Sequence, residues 1–349
     1  RLPRRAALPA AGAYRGHAGP SQRDHGAARL TRSARGGIMP PMNAPIDRCT
    51  DASSHPPRLR RDINLGTLAE LPPASRGWRP TLAEQLALLK ADGHEAAQVW
   101  QPSAEAARAV LDAGLAVTGI CRALLPAEVD AIVRAQREVG CQITTLHVGN
   151  SFETDAEMDA LAAAVLEASA RHGHPIYVET HRGTMTQDLR RTLDLVARFP
   201  ELRFNADLSH WYTGHELTYG GEFYERAARL QPVFERVRFL HARVGNPGCI
   251  QTGLDDPGDY LTHFRWMWQR CFEGFLRGAG PGDYLSFNAE LLPQKMGADF
   301  WLHYAQPRSD LAGDALHGEP SDRYNDAERL WRMASDCFDA ARAAVTGAP

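Results

Sequence analysis

The stretch AVTGICRALLPAEVDAIVRAQREVGCQITTLHVGN (116–150) decides the architecture. It opens on a β-type run, AVTGICRA (116–123), and passes into a helical stretch, PAEVDAIVRAQREVG (126–140). That stretch stops on a glycine, the residue best suited to end a helix. A second β-type run, ITTLHVGN (143–150), closes the unit. Upstream lie the runs INLGT (63–67) and AQVWQ (97–101). Downstream lie IYVETH (176–181), RFNADLSH (203–210), RFLHARVG (238–245) and YLSFNAEL (284–291). Helical stretches separate them, among them LAEQLALLKADG (82–93), AEAARAVLDAG (104–114) and DAEMDALAAAVLEASARHG (155–173). In the last of these the apolar residues recur at i, i+3, i+4 and i+7, the helical period. An eighth helix is expected over RYNDAERLWRMASDCFDAARAA (323–344).

Strands that alternate with helices imply parallel pairing through right-handed crossovers. Eight such units predict an α/β chain folded as a (β/α)8 TIM barrel. The rival, an open doubly wound sheet, usually carries a glycine-rich phosphate loop after its first strand. The segment NLGTLAELPP (64–73) holds no GxGxxG.

The chain has 349 residues, 44% apolar and 23% charged, as expected of a globular protein. No apolar run approaches the roughly 18 residues of a membrane span, so no membrane partner is expected. Six scattered cysteines without a CxxC pair argue against a disulfide scaffold or a zinc ribbon. They suit reduced thiols and a cytoplasmic location. Residues 1–61 hold twelve Arg and three acids, a balance of +9, while the remainder carries 27 basic and 39 acidic residues. An acidic main domain argues against duplex nucleic acid, whose phosphates demand a basic footprint. A small-molecule substrate fits better.

Residues 1–61 are rich in Ala, Arg, Gly and Pro without helical or strand period, and are expected to be a disordered extension. Met39 and Met42 close its Arg-rich part, so the residues before Met39 read as an upstream extension. A transit peptide or a nucleic-acid-binding arm are the other readings. Residues 62–349 are expected to form the barrel.

Barrel active sites lie at the C-terminal ends of the strands. The fourth run ends with His147, the fifth with Glu179, His181 and Arg182, the sixth with Asp207 and His210. The seventh ends with His241 and Arg243, and the eighth with Glu290. Three carboxylates facing one another would repel unless a cation sat among them. Oxygen ligands with one imidazole suit one divalent metal: Mn, Mg, Co or Zn. Such a cation polarises a carbonyl and its neighbouring hydroxyl.

The stretches VETHRG (178–183), NADLSHW (205–211), FLHARVGNPG (239–248) and NAELLP (288–293) resemble the xylose isomerase-like TIM-barrel superfamily of sugar-phosphate isomerases and epimerases. The resemblance covers roughly residues 63–345 and rests on the order Glu, Asp-x-x-His, His, Glu along the last four strands. It implies that Glu179, Asp207, His241 and Glu290 bind one metal. It also implies that His210 contacts substrate or supports the ligands, and that Glu179 and Glu290 move a carbon-bound proton. Apurinic-site endonucleases of the superfamily hold three zinc ions. Here Arg122 stands where they need a histidine, and the loop after His241 has no Asp-x-His. His147 does match a ligand of that branch, which leaves a second metal open.

The function expected is a metal-dependent isomerase or epimerase of a small sugar or hydroxy-keto compound, acting through an enediolate in carbohydrate metabolism. A lyase, dehydratase or hydrolase on the same barrel is one alternative, and a non-catalytic sugar-binding barrel another. Arg182 and Arg243 either grip a substrate carboxylate or phosphate or neutralise the acidic rim. His147, His181 and His210 are candidate substrate contacts. Trp211 and Trp100 either wall the pocket or pack. The aromatic stretch FRWMWQRCFEGFL (264–276) reads as core or as the contact of a homo-oligomer, and GNPGCIQTG (245–253) as an ordinary loop or a lid.

Overall fold

The computed structural model describes residues 44–256, 258–293, 295–296, 300–301, 319 and 321–347. Eight parallel strands form the barrel: β1 (Arg58–Asn64), β2 (Ala96–Trp100), β3 (Ala116–Ala123), β4 (Cys141–Val148), β5 (Ile176–Glu179), β6 (Phe204–Asp207), β7 (Val237–Ala242) and β8 (Asp283–Ala289). Each pairs with the next in sequence, and β8 returns to β1 with Arg61 opposite Phe287. The ring therefore closes, and no barrel strand has a free edge. Residues such as those of β5, IYVE, are all buried, because helices cover the outside and side chains fill the inside.

The helical stretches read between the first five strands are found as α1 (Leu82–Ala91), α2 (Ala104–Asp112), α3 (Pro126–Glu138) and α4 (Asp155–His172), and α5 (Leu189–Arg198) fills the next interval. Thr154 caps α4, in a box with Glu157 that satisfies two otherwise orphaned N–H groups. Such a cap contributes about 1 kcal/mol. At the other end Gly173 takes φ +56°, a left-handed conformation that turns the chain toward β5. Between β6 and β7 the chain makes three short helices, α6 (Leu208–Gly214), α7 (Phe223–Ala228) and α8 (Gln231–Phe234). Long helices α9 (Tyr260–Leu276) and α10 (Arg323–Thr346) complete the ring. In α9 Phe264, Met267, Trp268, Cys271, Phe272 and Phe275 are fully buried, so the aromatic stretch builds core. No helix among the described residues is long and apolar enough to cross a membrane.

The expected boundary at residue 61/62 falls inside β1. The strand is hard to read because RLRR (58–61) is polar by sequence. Its Arg60 is nevertheless buried, paired with Asp62 at 2.7 Å and stacked 4.4 Å over the ring of Tyr284. Before β1, Cys49–Thr50 form a two-residue strand antiparallel to β8. Cys49, Ile143, Tyr177, Phe239 and Tyr284 form an apolar floor at the N-terminal end of the barrel. Residues 1–43 of the expected extension lie outside the described residues.

Candidate metal centre

The strand ends deliver the expected side chains to one place. Glu179 is the last residue of β5, Asp207 the last of β6, His241 the penultimate residue of β7, and Glu290 directly follows β8. One ligand atom from each lies within 4.8 Å of the others. All four residues are buried, Glu290 the most open at 8%. The His241 Nδ1 atom stands 3.0 Å from Glu290 Oε2 and 3.5 Å from Glu179 Oε2. Apart from these contacts with one another, neither His241 Nδ1 nor Glu290 Oε2 has a hydrogen-bond partner among the described residues. Buried polar atoms left in this way are costly. Two such lone-pair donors beside two more carboxylates fit a divalent cation of the oxygen-and-imidazole class.

A belt of amides beneath the cluster orients it. Gln98 Oε1 lies 2.8 Å from His241 Nε2, and accepts from Asn64 Nδ2 at 2.9 Å and Asn288 Nδ2 at 3.0 Å. An acceptor at Nε2 keeps a proton there, so Nδ1, which faces the carboxylates, is the nitrogen that would ligate a cation on losing its own proton. Asn64 Nδ2 also donates to Glu290 Oε1 at 3.1 Å. The Asn205 amide stands 2.9 Å from His241 Nε2; with its oxygen, otherwise without a partner among the described residues, turned toward that N–H, it accepts there as well. Sequence reading missed these amides. The signal was present, since Gln98, Asn205 and Asn288 each interrupt an apolar strand that is buried on both faces.

Arg243 neutralises the acidic rim from inside. It pairs with Asp207 Oδ2, stands 3.6 Å from Glu290 Oε2, and donates from Nε to Ser209 Oγ at 3.1 Å. Asp207 also caps α6, accepting from Ser209 N at 3.1 Å. Its Asp-x-x-His partner, His210, sits in the first turn of α6. His210 Nε2 is 3.0 Å from Arg243 Nη2, while its buried Nδ1 has no partner among the described residues.

These neighbours set the charges. Burial alone would raise the Glu179 carboxyl, but His147 and His241 outweigh it and hold it well below the usual range. Burial pushes Asp207 up to about 6 against the pull of Arg243, with Glu290 and Glu179 adding to the rise. Burial disfavours a charged His241, yet Glu290 and Glu179 push it up to about 10. The three carboxylates thus create a demand for positive charge that Arg243 alone does not meet.

The other histidines form a wall along the rim. The rings of Trp100, His147, His181 and His210 follow one another at centroid spacings of 5.4, 4.5 and 3.8 Å. His147 Nε2 lies 3.0 Å from Glu179 Oε2. His147, Glu179 and His181 also have ligand atoms within 4.8 Å of one another. However, His181 Nδ1 accepts from Gly183 N at 2.9 Å, so the neutral ring carries its proton on Nε2. Burial holds that ring neutral, with its pKa pushed down to about 3. His181 is therefore arranged as a hydrogen-bond donor rather than a metal ligand. Arg182 is exposed beside the mouth. Trp211 is not at the rim. It is fully buried, and its indole N–H is spent on the Thr186 carbonyl at 2.8 Å, so packing claims it. The loop 245–253 is tied down by Thr213 Oγ1, which donates to Asn246 O at 2.8 Å.

Neither a family model nor a curated protein matches the sequence. Among solved structures, the chain is similar to an L-ribulose 3-epimerase at 12% identity and a TM-score of 0.48, over 81% of this chain and 96% of that one. It is similar to a sugar phosphate isomerase/epimerase from Parabacteroides distasonis at 10% identity and a TM-score of 0.48, over 84% and 98% of the two chains. A xylose isomerase domain protein from Planctomyces limnophilus aligns at 15% identity and a TM-score of 0.45, over 85% and 99%.

Proposed function

We propose that the chain is a divalent-metal-dependent isomerase or epimerase of a small sugar or hydroxy-keto compound. The observation that carries this reading is the convergence of Glu179, Asp207, His241 and Glu290 within 4.8 Å at the C-terminal end of the barrel. These four residues would hold the cation, with Mn, Mg, Co and Zn all compatible with the donor set. When bound, the cation supplies Lewis acidity to a carbonyl and its neighbouring hydroxyl.

The protein groups do the rest. Gln98 keeps the His241 proton on Nε2, so that Nδ1 faces the ligand set. Arg243 holds Asp207 in place and tempers the negative rim. Glu179 and Glu290 are the two carboxylates available to remove the proton from the substrate carbon and to return one. His181 Nε2–H and His210 Nδ1 are free to donate to substrate hydroxyls, and the exposed ring of Trp100 walls the mouth beside His147. Arg182 would take an anionic substituent where the substrate carries one.

The test is metal analysis of the purified protein, followed by incubation with ketoses and hydroxy-keto acids in deuterated water. One bound dication per chain and exchange of a carbon-bound proton without loss of mass are expected. Exchange that survives removal of the metal would overturn the reading. A product lighter by one water would point to a dehydratase instead.

A further inference from the structure

The end of the barrel opposite the carboxylate cluster carries the reverse charge. A cavity of about 390 Å³ opens there, lined among others by Arg48, Arg203, Arg236, Arg238, Arg277 and Glu235. Arg203 directly precedes β6, Arg236 precedes β7, and Arg238 lies within β7. Asp47 serves three of the five guanidinium groups at once, pairing with Arg48, Arg203 and Arg238. Glu235 lies 3.6 Å from Arg277. Glu273 lies 3.5 Å from Arg277 as well, so five positive groups face three acids.

The guanidinium groups are held in place by backbone carbonyls. Arg203 Nη1 donates to Pro200 O at 2.8 Å and Leu202 O at 2.9 Å. Arg236 donates from Nε to Pro200 O at 3.1 Å and from Nη1 to Pro232 O at 2.6 Å. The bonds of both arginines run from Nε and Nη1, which leaves Nη2 toward the cavity, and the buried Arg48 Nε has no partner among the described residues. The charge is crowded as well as oriented. Burial pushes Arg238 down to about 10, and Arg48 and Arg203 add to the fall despite Asp47. Burial and Arg203 lower Arg236 in the same way.

We propose that this cavity is a binding site for a small phosphate-bearing anion, separate from the carboxylate cluster. Fixed, forked guanidinium donors with unspent N–H groups suit phosphate oxygens, and an anion would relieve their mutual repulsion. The volume admits two linked phosphates or a phosphorylated small metabolite.

Isothermal titration of the full chain with inorganic pyrophosphate, in buffer containing EDTA so that no metal bridges the ligand, tests the assignment. A single saturable site is expected. Arg236→Gln should weaken it about tenfold or more, the usual size of a lost charge-assisted hydrogen bond. Arg277→Gln removes a half-exposed charge from the same cavity and serves if Arg236→Gln does not fold. It should weaken binding severalfold. Arg108→Gln, on the exposed face of α2 and paired only with Asp112, should change nothing. Absence of a saturable site, binding that neither cavity variant weakens, or loss of binding in Arg108→Gln would each overturn the proposal.

Discussion

Replacing Gln98 by Met tests whether the amide belt prepares the cluster for a cation. The side chain is fully buried, and Met matches its length without an acceptor oxygen. Three donors lose Gln98 Oε1: His241 Nε2 at 2.8 Å, Asn64 Nδ2 at 2.9 Å and Asn288 Nδ2 at 3.0 Å. Asn64 keeps its bond to Glu290, so the loss falls on His241 and Asn288. An unpaired buried donor costs about 1–3 kcal/mol, which sets the expected loss of folding stability at that size for each. The imidazole is also released from the tautomer that exposes Nδ1. Removing the group that orients a ligating histidine typically weakens a metal site about 10–100-fold, or roughly 1.4–2.7 kcal/mol. Titration of metal-stripped protein with Mn²⁺, followed by the electron paramagnetic resonance of the free ion, reads the affinity directly. Urea denaturation reads the stability. A dissociation constant within twofold of the parent's would refute the orienting role. A parent that takes up no Mn²⁺, Co²⁺ or Zn²⁺ would remove the metal centre itself.

Three further outcomes are expected. Glu179→Gln and Glu290→Gln should each slow deuterium exchange into substrate by about 10²–10⁴-fold, measured by mass spectrometry; full exchange in either removes that carboxylate from the chemistry. His174 is buried with Nε2 3.0 Å from Thr144 Oγ1, and burial pushes its pKa down to about 4. An unfolded histidine titrates near 6.5, so this contribution is complete above about 6.5 and is lost as pH falls toward 4, by about 3 kcal/mol. Denaturation of the parent and of His174→Gln at pH 7.5 and pH 4 should show the smaller acid loss in the variant, and equal losses would contradict this. In Gly274→Ala the new Cβ would lie 2.5 Å from Glu235 Cα and 2.9 Å from Phe234 O, both backbone atoms. Overpacking of that kind costs about 1–3 kcal/mol, at about 2–4 °C in melting temperature per kcal/mol; an unchanged melting temperature would show that α9 moves aside freely.

The barrel was legible because its signals are local. Gly93, Gly114, Gly140 and Gly173 all have positive φ at the helix ends where the sequence places them. The strand ends were legible for the same reason, and they bring Glu179, Asp207, His241 and Glu290 together. What could not be read depends on partners distant in sequence. Arg60 hides in β1 only because Asp62 and Tyr284 receive it. Gln98 gains its meaning from Asn64, His241 and Asn288, which lie on three other strands. Trp211 follows His210 directly, yet one step along α6 turns it from the funnel into the core. Arg243 offered two readings by type, and only its pairing with Asp207 separates them.

The plug of Cys49, Ile143, Tyr177, Phe239 and Tyr284 shuts the N-terminal end of the barrel among the described residues. Whatever reaches the carboxylates from the opposite end leaves by that end. Departing and arriving molecules therefore queue at a single threshold, and bulk at that threshold throttles traffic in both directions at once.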